Sequence, residues 1–297
     1  MSRSQAEKLR DLIGLLDLEE IDADVYRGRN EPAPRMRLFG GQVAAQALVA
    51  AGRTVSFGSA HSLHGYFLRP GDPERPVVYH VERLRDGKSF VTRHVVARQR
   101  GQAIFDLSVS FQAPQEGYEH QQLVMPEAPD PESLPTWSDR VRAAGAMLPD
   151  EARGWALEPR PIDLRHVLPP TFLGGEPREG GSVVWFRAGG PVPDDPFLHQ
   201  CLVTYATDMS LLDNIILPHG RRGRLGPVMM ASLDHAVWFH HPVRADEWLL
   251  YAQDSPAAAG ARGFARGSIF TRQGKLVVSV AQEGLMRPAG APEDRSQ

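Results

Sequence analysis

Apolar residues recur at helical intervals near the start of the chain, which predicts a short amphipathic helix over residues 4–18. The residues that form its apolar side are Leu9, Leu12, Ile13, Leu15 and Leu16. A second helix is predicted from Phe39 to about Ala51, where small and apolar residues predominate throughout. The Gly40-Gly41 pair at its start permits close backbone approach to a partner or ligand. We therefore expect this helix to be buried against a flat surface.

From position 61 onwards the apolar residues follow the two-residue period of β-strands. Short apolar runs between turn signals predict strands over residues 61–68, 77–81, 90–97 and 104–111. The Asp86-Gly87 step between two of these runs is a hairpin signal. A helix followed by several antiparallel strands is typical of an α+β protein.

Residues 113–180 lose this periodicity and are rich in proline, which predicts a long connection wrapped over the surface. A short helix is predicted within it, near residues 138–147. The first pattern then returns, with a strand over 183–186, a helix over 197–212 and strands at about 229–239, 248–254, 262–272 and 276–286. Segments 98–105 and 271–278 resemble each other, so we interpret the chain as a degenerate duplication of one helix-and-sheet unit. The predicted division is a first unit at 1–115, a proline-rich linker at 116–180 and a second unit at 181–290.

The composition is that of a globular protein, with 42% hydrophobic and 23% charged residues. A net charge of −3 gives no indication of a nucleic-acid partner. Cys201 is the single cysteine, which excludes a disulfide framework and any multi-cysteine metal site. The N-terminal segment carries alternating charges unlike a signal peptide, and no stretch approaches the roughly 18 apolar residues of a membrane span. We expect a cytoplasmic protein without a membrane span.

Several segments together resemble the acyl-CoA thioesterase II (TesB) family. They include residues 38–43, 61–72 and 84–90 in the first half, and residues 205–208, 233–240, 246–251 and 282–287 in the second. These segments follow the family's order, and the linker resembles the family least. The resemblance implies a double hot-dog fold, in which two central helices are each wrapped by a curved antiparallel sheet. It also implies hydrolysis of medium- to long-chain fatty acyl-CoA. Because hot-dog sheets commonly extend edge to edge, we expect a homo-oligomer, either a dimer or a tetramer.

The resemblance carries the family's catalytic groups to Asp208 on the second central helix, Ser232 on a following strand and Gln282 on the last strand. Many members have threonine where this chain has Ser232, so the hydroxyl is retained but the packing around it can differ. A carboxylate can accept a proton from water, and a hydroxyl and an amide can hold that water for attack on a thioester. From periodicity alone, Asp208 would be interpreted as a polar cap or an exposed residue. The catalytic interpretation is favoured only because Asp208, Ser232 and Gln282 all occur in the expected segments.

The two halves differ at the position of the carboxylate. Matching Gln42 with Gln200 places Ala50 opposite Asp208. The sequence therefore predicts one working site per chain, in the second half, with the first half as scaffold and substrate wall.

Further substrate-binding residues are expected around the same cleft. Backbone N–H groups at Gly40 and Gly41 are candidates for stabilising the thioester oxyanion. His61 is a candidate for the cleft wall. No cofactor is implied, since CoA enters as part of the substrate. Four arginines could pair with CoA phosphates, although a solvated surface position is the more common role for each: Arg262, Arg266, Arg272 and Arg287.

Other chemistries are less well supported. A Ser-His-Asp triad within residues 232–235 is disfavoured, because adjacent strand residues such as Asp234 and His235 point to opposite faces. The His61/His64 and 240–241 histidine pairs lack a convergent set of three or four ligands, so no metal site is predicted. Two alternative functions stay open. One is non-catalytic acyl-CoA binding, and the other is enoyl-CoA hydration, which typically needs a histidine where this chain has Asp213.

Overall fold

The computed structural model describes residues 3–30, 37–145, 148, 153–154, 156–220 and 228–288. Its helices are α1 (Gln5–Leu16), α2 (Gly40–Gly52), α3 (Trp137–Ala144), α4 (Pro196–Thr207) and α5 (Asp213–Ile216). The strands of the first half are β1 (Glu19–Asp22), β2 (Val25–Gly28), β3 (Ser59–Phe67), β4 (Val77–Asp86), β5 (Phe90–Gln99) and β6 (Gln102–Gln112). Those that follow are β7 (Ile162–His166), β8 (Ser182–Ala188), β9 (Val228–Ser232), β10 (Asp234–Phe239), β11 (Leu249–Ala259), β12 (Arg262–Thr271) and β13 (Leu276–Pro288).

The N-terminal helix forms as its sequence predicts. Ser4 caps it by accepting from the Glu7 backbone N–H, and the Glu7 carboxylate accepts from the Ser4 backbone, which together make a capping box. Leu9, Leu12 and Leu16 are buried on one side and join the main core. This helix therefore covers part of the body, as expected.

All the described strands belong to one antiparallel sheet, whose order is β1-β2-β4-β5-β6-β3-β10-β13-β12-β11-β8-β7, with β9 pairing β13 off this path. The two halves join where β3 pairs with β10, with His64 opposite Ala236. Each half thus contributes a curved set of strands to a continuous sheet. The structure confirms the predicted α+β architecture of two helix-and-sheet units in tandem.

The two central helices, α2 and α4, pack against each other on the inner side of the sheet. An added Cβ at Gly41 would lie 2.5 Å from the Tyr205 carbonyl oxygen, and one at Gly52 would collide with the Phe197 ring. The start of α2 therefore meets the end of α4, and the end of α2 meets the start of α4, so the helices are antiparallel. Every residue of α2 from Gly41 to Ala51 is buried, which confirms the predicted burial of this helix.

The proline-rich connection crosses the outer face of the second half of the sheet. Met125, Ala128 and Leu134 pack against an apolar cluster that contains Trp185 and Trp248. The two indole N–H groups donate to the Pro129 carbonyl at 3.0 Å and to the Glu132 carboxylate at 2.8 Å. The predicted surface wrapping is therefore confirmed, and this stretch also supplies one wall of a second apolar cluster.

Two predicted boundaries need correction. The linker does not extend to residue 180, because β7 within it pairs with β8 as an edge strand of the sheet. The second central helix ends at Thr207 rather than at 212, where the chain turns before α5. The short helix predicted near 138–147 is present as α3, and the last two residues of that range lie outside the described residues, as do residues 289–290 of the predicted second unit. None of the described helices combines the length and the hydrophobicity of a membrane-spanning segment.

Candidate active site

The structure brings the three predicted catalytic residues together. Asp208 follows directly after α4 and keeps a helical backbone conformation, Ser232 ends β9 and Gln282 lies within β13. The Gln282 amide donates from Nε2 to Asp208 Oδ1 at 2.8 Å and to Ser232 Oγ at 2.7 Å. A carboxyl, a hydroxyl and an amide from three separate elements therefore converge at one point.

A β-bulge at Leu233 sets the direction of the Ser232 side chain. Ser232 lies opposite Gly284, whereas Ala236 lies opposite Ala281, so four steps along β9 and β10 match three steps along β13. The extra residue resets the alternation of side chains. Ser232 and His235, which are three positions apart, consequently both face the inner side of the sheet, where an unbroken strand would place them on opposite sides.

The environment of Asp208 favours the neutral form of its carboxyl group. Burial raises the pKa of Asp208 to about 6, against opposing hydrogen bonds from the Gln282 side chain, the Gly41 backbone N–H and the Ser232 hydroxyl. The positive end of the α2 dipole also points towards this carboxylate. Asp208 is therefore poised to exchange a proton near neutral pH.

Glycine is required at both positions where α2 approaches the carboxylate. A Cβ at Gly40 would lie 2.8 Å from Asp208 Oδ2, and one at Gly41 would strike the Tyr205 carbonyl oxygen. The Gly41 N–H is already directed at Asp208. Of the two predicted oxyanion donors, Gly40 is the one that also lines the adjacent cavity.

A cavity of about 470 Å³ opens beside these groups, and Asp208 and Ser232 reach its surface. Its apolar walls are formed by Leu38, Phe39, Val43, Phe67, Leu212 and Met230, among others. Arg37 and Arg69 also line it and are exposed, so they mark its open side. Gln282 lies behind the wall, fully buried. The cavity thus joins a long apolar surface to a reactive carboxyl and to a basic rim.

Some of the predicted residues lie elsewhere. His61 Nε2 is 2.8 Å from Ser110 Oγ and its ring packs edge-on against Phe90, away from the residues that line the cavity. Its position follows from a second bulge in β3, between Ala60 and Ser62. The substrate-binding role predicted for His61 has no support from this location.

Three of the four arginines that were candidates for CoA phosphates are already paired. Arg262 contacts Glu283 at 3.0 Å, Arg266 contacts Asp254 at 2.9 Å, and Arg272 contacts Glu132 at 3.1 Å. The last of these holds the linker on the outer face of the sheet. Among the described residues, the arginines that line the cavity are instead Arg37 and Arg69, which the sequence did not single out.

Asp234 and His235 point in opposite directions, as the sequence predicts. Asp234 accepts from the Glu283 backbone N–H at 2.5 Å, whereas His235 reaches the Thr207 hydroxyl on α4 at 2.9 Å. A Ser-His-Asp triad is therefore not formed here. Within the described residues, no group of three His, Cys, Asp or Glu side chains could hold a metal ion.

The sequence of this chain matches family models and curated proteins that are thioesterases. A family model described as "Acyl-CoA thioesterase" matches residues 162–285, and one described as "Acyl-CoA thioesterase N-terminal domain" matches residues 30–112. The acyl-coenzyme A thioesterase 8 of Mus musculus is 42% identical over 285 residues, which covers 92% of this chain and 88% of the mouse protein.

Solved structures agree with these sequence matches. The acyl-CoA thioesterase II TesB2 of Mycobacterium marinum superimposes with a TM-score of 0.76 at 43% identity, covering 95% of this chain and 100% of that one. A hot-dog protein from Alicyclobacillus acidocaldarius has a TM-score of 0.75 at 19% identity, covers 95% of this chain and 99% of that one, and shows the fold alone. The shared sheet and paired central helices are those of a double hot-dog thioester hydrolase. The chain belongs to the acyl-CoA thioesterase II (TesB) family.

Proposed function

We propose that this chain hydrolyses medium- to long-chain fatty acyl-CoA to free fatty acid and CoA, by direct attack of a water held by Asp208 and Ser232, whose side chains the Gln282 amide fixes in place. The observation that carries the proposal is the Gln282 amide, which bridges Asp208 and Ser232 beside an apolar cavity. A thioester carbonyl is electrophilic enough for water to attack it without a covalent enzyme intermediate. The groups present suit that reaction.

The ionised Asp208 carboxylate acts as general base and takes one proton from the water. The water oxygen bonds to the thioester carbon, and the resulting oxyanion accepts a hydrogen bond from the Gly40 N–H at the start of α2. The C–S bond then breaks, and the CoA thiolate leaves with the proton that Asp208 had taken. The base is regenerated with no other reactant consumed.

The rest of the cavity fits the two ends of such a substrate. Leu212, Met230 and their apolar neighbours offer the acyl chain a dry surface, which favours medium and long chains over short ones. Arg37 and Arg69 at the open side offer guanidinium groups suited to the CoA phosphates. In this proposed binding mode the thioester lies between the two ends, beside Asp208.

The corresponding place in the first half supports a single site per chain. Ala50, which the sequence aligns with Asp208, is fully buried, and the nearby end of α2 lies against Phe197. Phe197 in turn packs near Phe111, with ring centroids 6.2 Å apart. A buried alanine therefore lies where a second carboxylate would be needed.

The test is release of free thiol from a series of acyl-CoAs of increasing chain length, with Asp208→Asn run beside the wild type. Loss of the general base should lower kcat by about 10²- to 10⁴-fold. Asp213→Asn is the matched control, because Asp213 is a second carboxyl on the same cavity and has no role in the proposed reaction. It should retain most of the activity.

Two outcomes would count against the proposal. Normal turnover by Asp208→Asn would remove the assigned base. Tight binding of acyl-CoA with no thiol release at any chain length would favour a non-catalytic binding protein, and the three residues would then need another explanation.

A further inference from the structure

Two buried polar atoms beside the proposed site have no assigned hydrogen-bond partner among the described residues: Gln282 Oε1 and His235 Nδ1. Both side chains are completely buried. An unpaired buried acceptor or donor has lost its hydrogen bonds to water and gained none in return, which destabilises the folded state. Such a pair next to reactive residues therefore calls for a physical explanation.

The two side chains lie opposite each other across neighbouring strands. Ala236 pairs with Ala281, so the same register places His235 opposite Gln282. Side chains in that relation have Cβ atoms about 4.5–5.5 Å apart. The bulge at Leu233 turns His235 to the inner side, where Gln282 also lies. The Gln282 side chain raises the pKa of His235, which is the effect of a hydrogen-bond acceptor beside an imidazole N–H, so the two groups are close.

The orientation of the Gln282 amide is fixed at its other end. Its Nε2 donates to both Asp208 and Ser232, which uses both of its hydrogens. A half-turn of the amide would place Oε1 against the Asp208 carboxylate, where two acceptors would repel each other. The oxygen must therefore face away from Asp208, towards the buried side where His235 lies.

The imidazole tautomer of His235 determines whether Gln282 Oε1 receives a hydrogen bond. Its Nε2 lies 2.9 Å from the Thr207 hydroxyl, which is also 2.8 Å from the Thr204 carbonyl oxygen. With the proton on Nε2, both Nδ1 and Gln282 Oε1 would be buried acceptors facing each other. With the proton on Nδ1, that nitrogen can donate to Oε1, and the Thr207 hydroxyl can turn to donate to Nε2. The second arrangement leaves fewer buried acceptors unpaired.

We propose that His235 is a positioning residue, whose Nδ1–H donates to Gln282 Oε1 and so holds the amide that bridges Asp208 and Ser232. The Thr207 hydroxyl on α4 fixes the imidazole tautomer from the other side. The inference rests on the proposed function, because it assigns His235 a role through the Gln282 amide, which fixes the two groups that hold the water, Asp208 and Ser232.

The imidazole stays neutral while the base titrates. Burial lowers the pKa of His235 to about 4, against an opposing contribution from the Gln282 side chain. The pKa of Asp208 is about 6, so His235 keeps its single ring proton over the pH range in which Asp208 ionises. Its positioning role is therefore constant across the working pH range.

Two amide substitutions separate the two ring nitrogens. His235→Asn keeps a donor near the Nδ1 position and loses the contact with Thr207. His235→Gln keeps a group near the Nε2 position and loses the donor to Gln282. We expect His235→Gln to lower kcat by about 10- to 100-fold with little change in KM, and His235→Asn to recover much of that loss.

A pH profile distinguishes positioning from a general structural defect. The Gln282 hydrogen bond lowers the pKa of Asp208, so releasing the amide should raise that pKa. The acid limb of the kcat/KM profile should therefore move to higher pH in His235→Gln and stay near its wild-type position in His235→Asn. A variant that is only partly folded would lose activity equally at every pH.

The ring tautomer can be measured in the wild-type protein without any substitution. With ¹⁵N-labelled histidine, the His235 signals can be assigned through the neighbouring Thr207 methyl group, and a protonated Nδ1 with a bare Nε2 is expected. A proton on Nε2, or equal losses in the two variants with unchanged acid limbs, would overturn the inference. Full activity of Asp208→Asn would instead overturn the proposed function and leave the tautomer measurement unaffected.

Discussion

At the scale of single residues, Asp208 couples the chemistry to the stability of the fold. Its pKa of about 6 lies above the ordinary value of 3.8, because burial disfavours the charged form. The proposed reaction needs the carboxylate, so kcat/KM should fall about tenfold per pH unit below about 6 and level off above it. Steady-state thiol release between pH 5 and pH 8 checks this.

The raised pKa of Asp208 also affects stability, because folding favours the protonated carboxyl whereas the proposed reaction needs the carboxylate. A carboxyl whose pKa is raised in the folded state stabilises that state when protonated, and this stability is lost as the pH rises through about 6. Asp208→Asn cannot ionise, so its melting temperature should exceed that of the wild type most at pH 7, and the difference should shrink as the pH falls towards 4. A difference that is the same at both pH values would show that Asp208 is not buried as a charged group at neutral pH.

At the scale of elements, the contact between α2 and α4 determines how the site is assembled. Gly41 lies where the start of α2 meets the Tyr205 carbonyl oxygen, with no space for a Cβ. Gly41→Ala should force the helices apart, destabilise the protein by about 1–3 kcal/mol and lower activity, because Asp208 would lose the Gly41 N–H. Chemical denaturation followed by thiol-release assays measures both effects.

The control for this substitution is Gly14→Ala. Gly14 lies inside α1, and no atom of the described part of the chain lies within 4 Å of an added Cβ. The same change there should stabilise the protein by about 0.5–1 kcal/mol through helix propensity and leave activity unchanged. Equal effects at the two positions would mean that the close helix contact is not what requires Gly41.

The sequence predicts most helices and strands, but not the β-bulge that determines which way the site's side chains point. Periodicity locates both central helices and most strands, because their buried faces repeat over many residues. It joins residues 229–239 into one strand, whereas Leu233 divides them into β9 and β10 with a shifted register. A bulge depends on pairing with β13, some fifty positions away, and no local pattern records it. The three candidate catalytic residues were predicted through the family resemblance, whereas His235 becomes significant only when the bulge places it beside Gln282.

The strands at the two ends of the sheet were also not predicted from the sequence. The strands β1 and β2 were not predicted, and β7 was assigned to the linker. β1 and β2 have only four residues each, which is too short for a two-residue period to be recognised. β7 is flanked by proline-rich sequence and is buried on both faces, which removes the alternation that marks a strand. Short edge strands are defined by their neighbours rather than by their own sequence.

At the scale of the whole molecule, the two halves depend on each other. The linker covers the outer face of the second half, where Trp185 and Trp248 would otherwise face solvent. The inner face is closed by α2 and α4 packed together, and the sheet is continuous across β3 and β10. Neither half therefore closes its own core.

This dependence predicts the behaviour of the first half alone. A fragment of residues 1–115 would expose the β3 edge, from Ser59 to Phe67, and the side of the mostly apolar α2 helix that packs on α4. It should be insoluble or self-associate when produced by itself, and co-expression with residues 116–297 should return a soluble complex with thioesterase activity. Gel filtration and light scattering of the two preparations decide the question. A soluble, monomeric fragment with a cooperative unfolding transition would show that the first unit folds independently, and the shared core would then be a docking surface rather than a condition for folding.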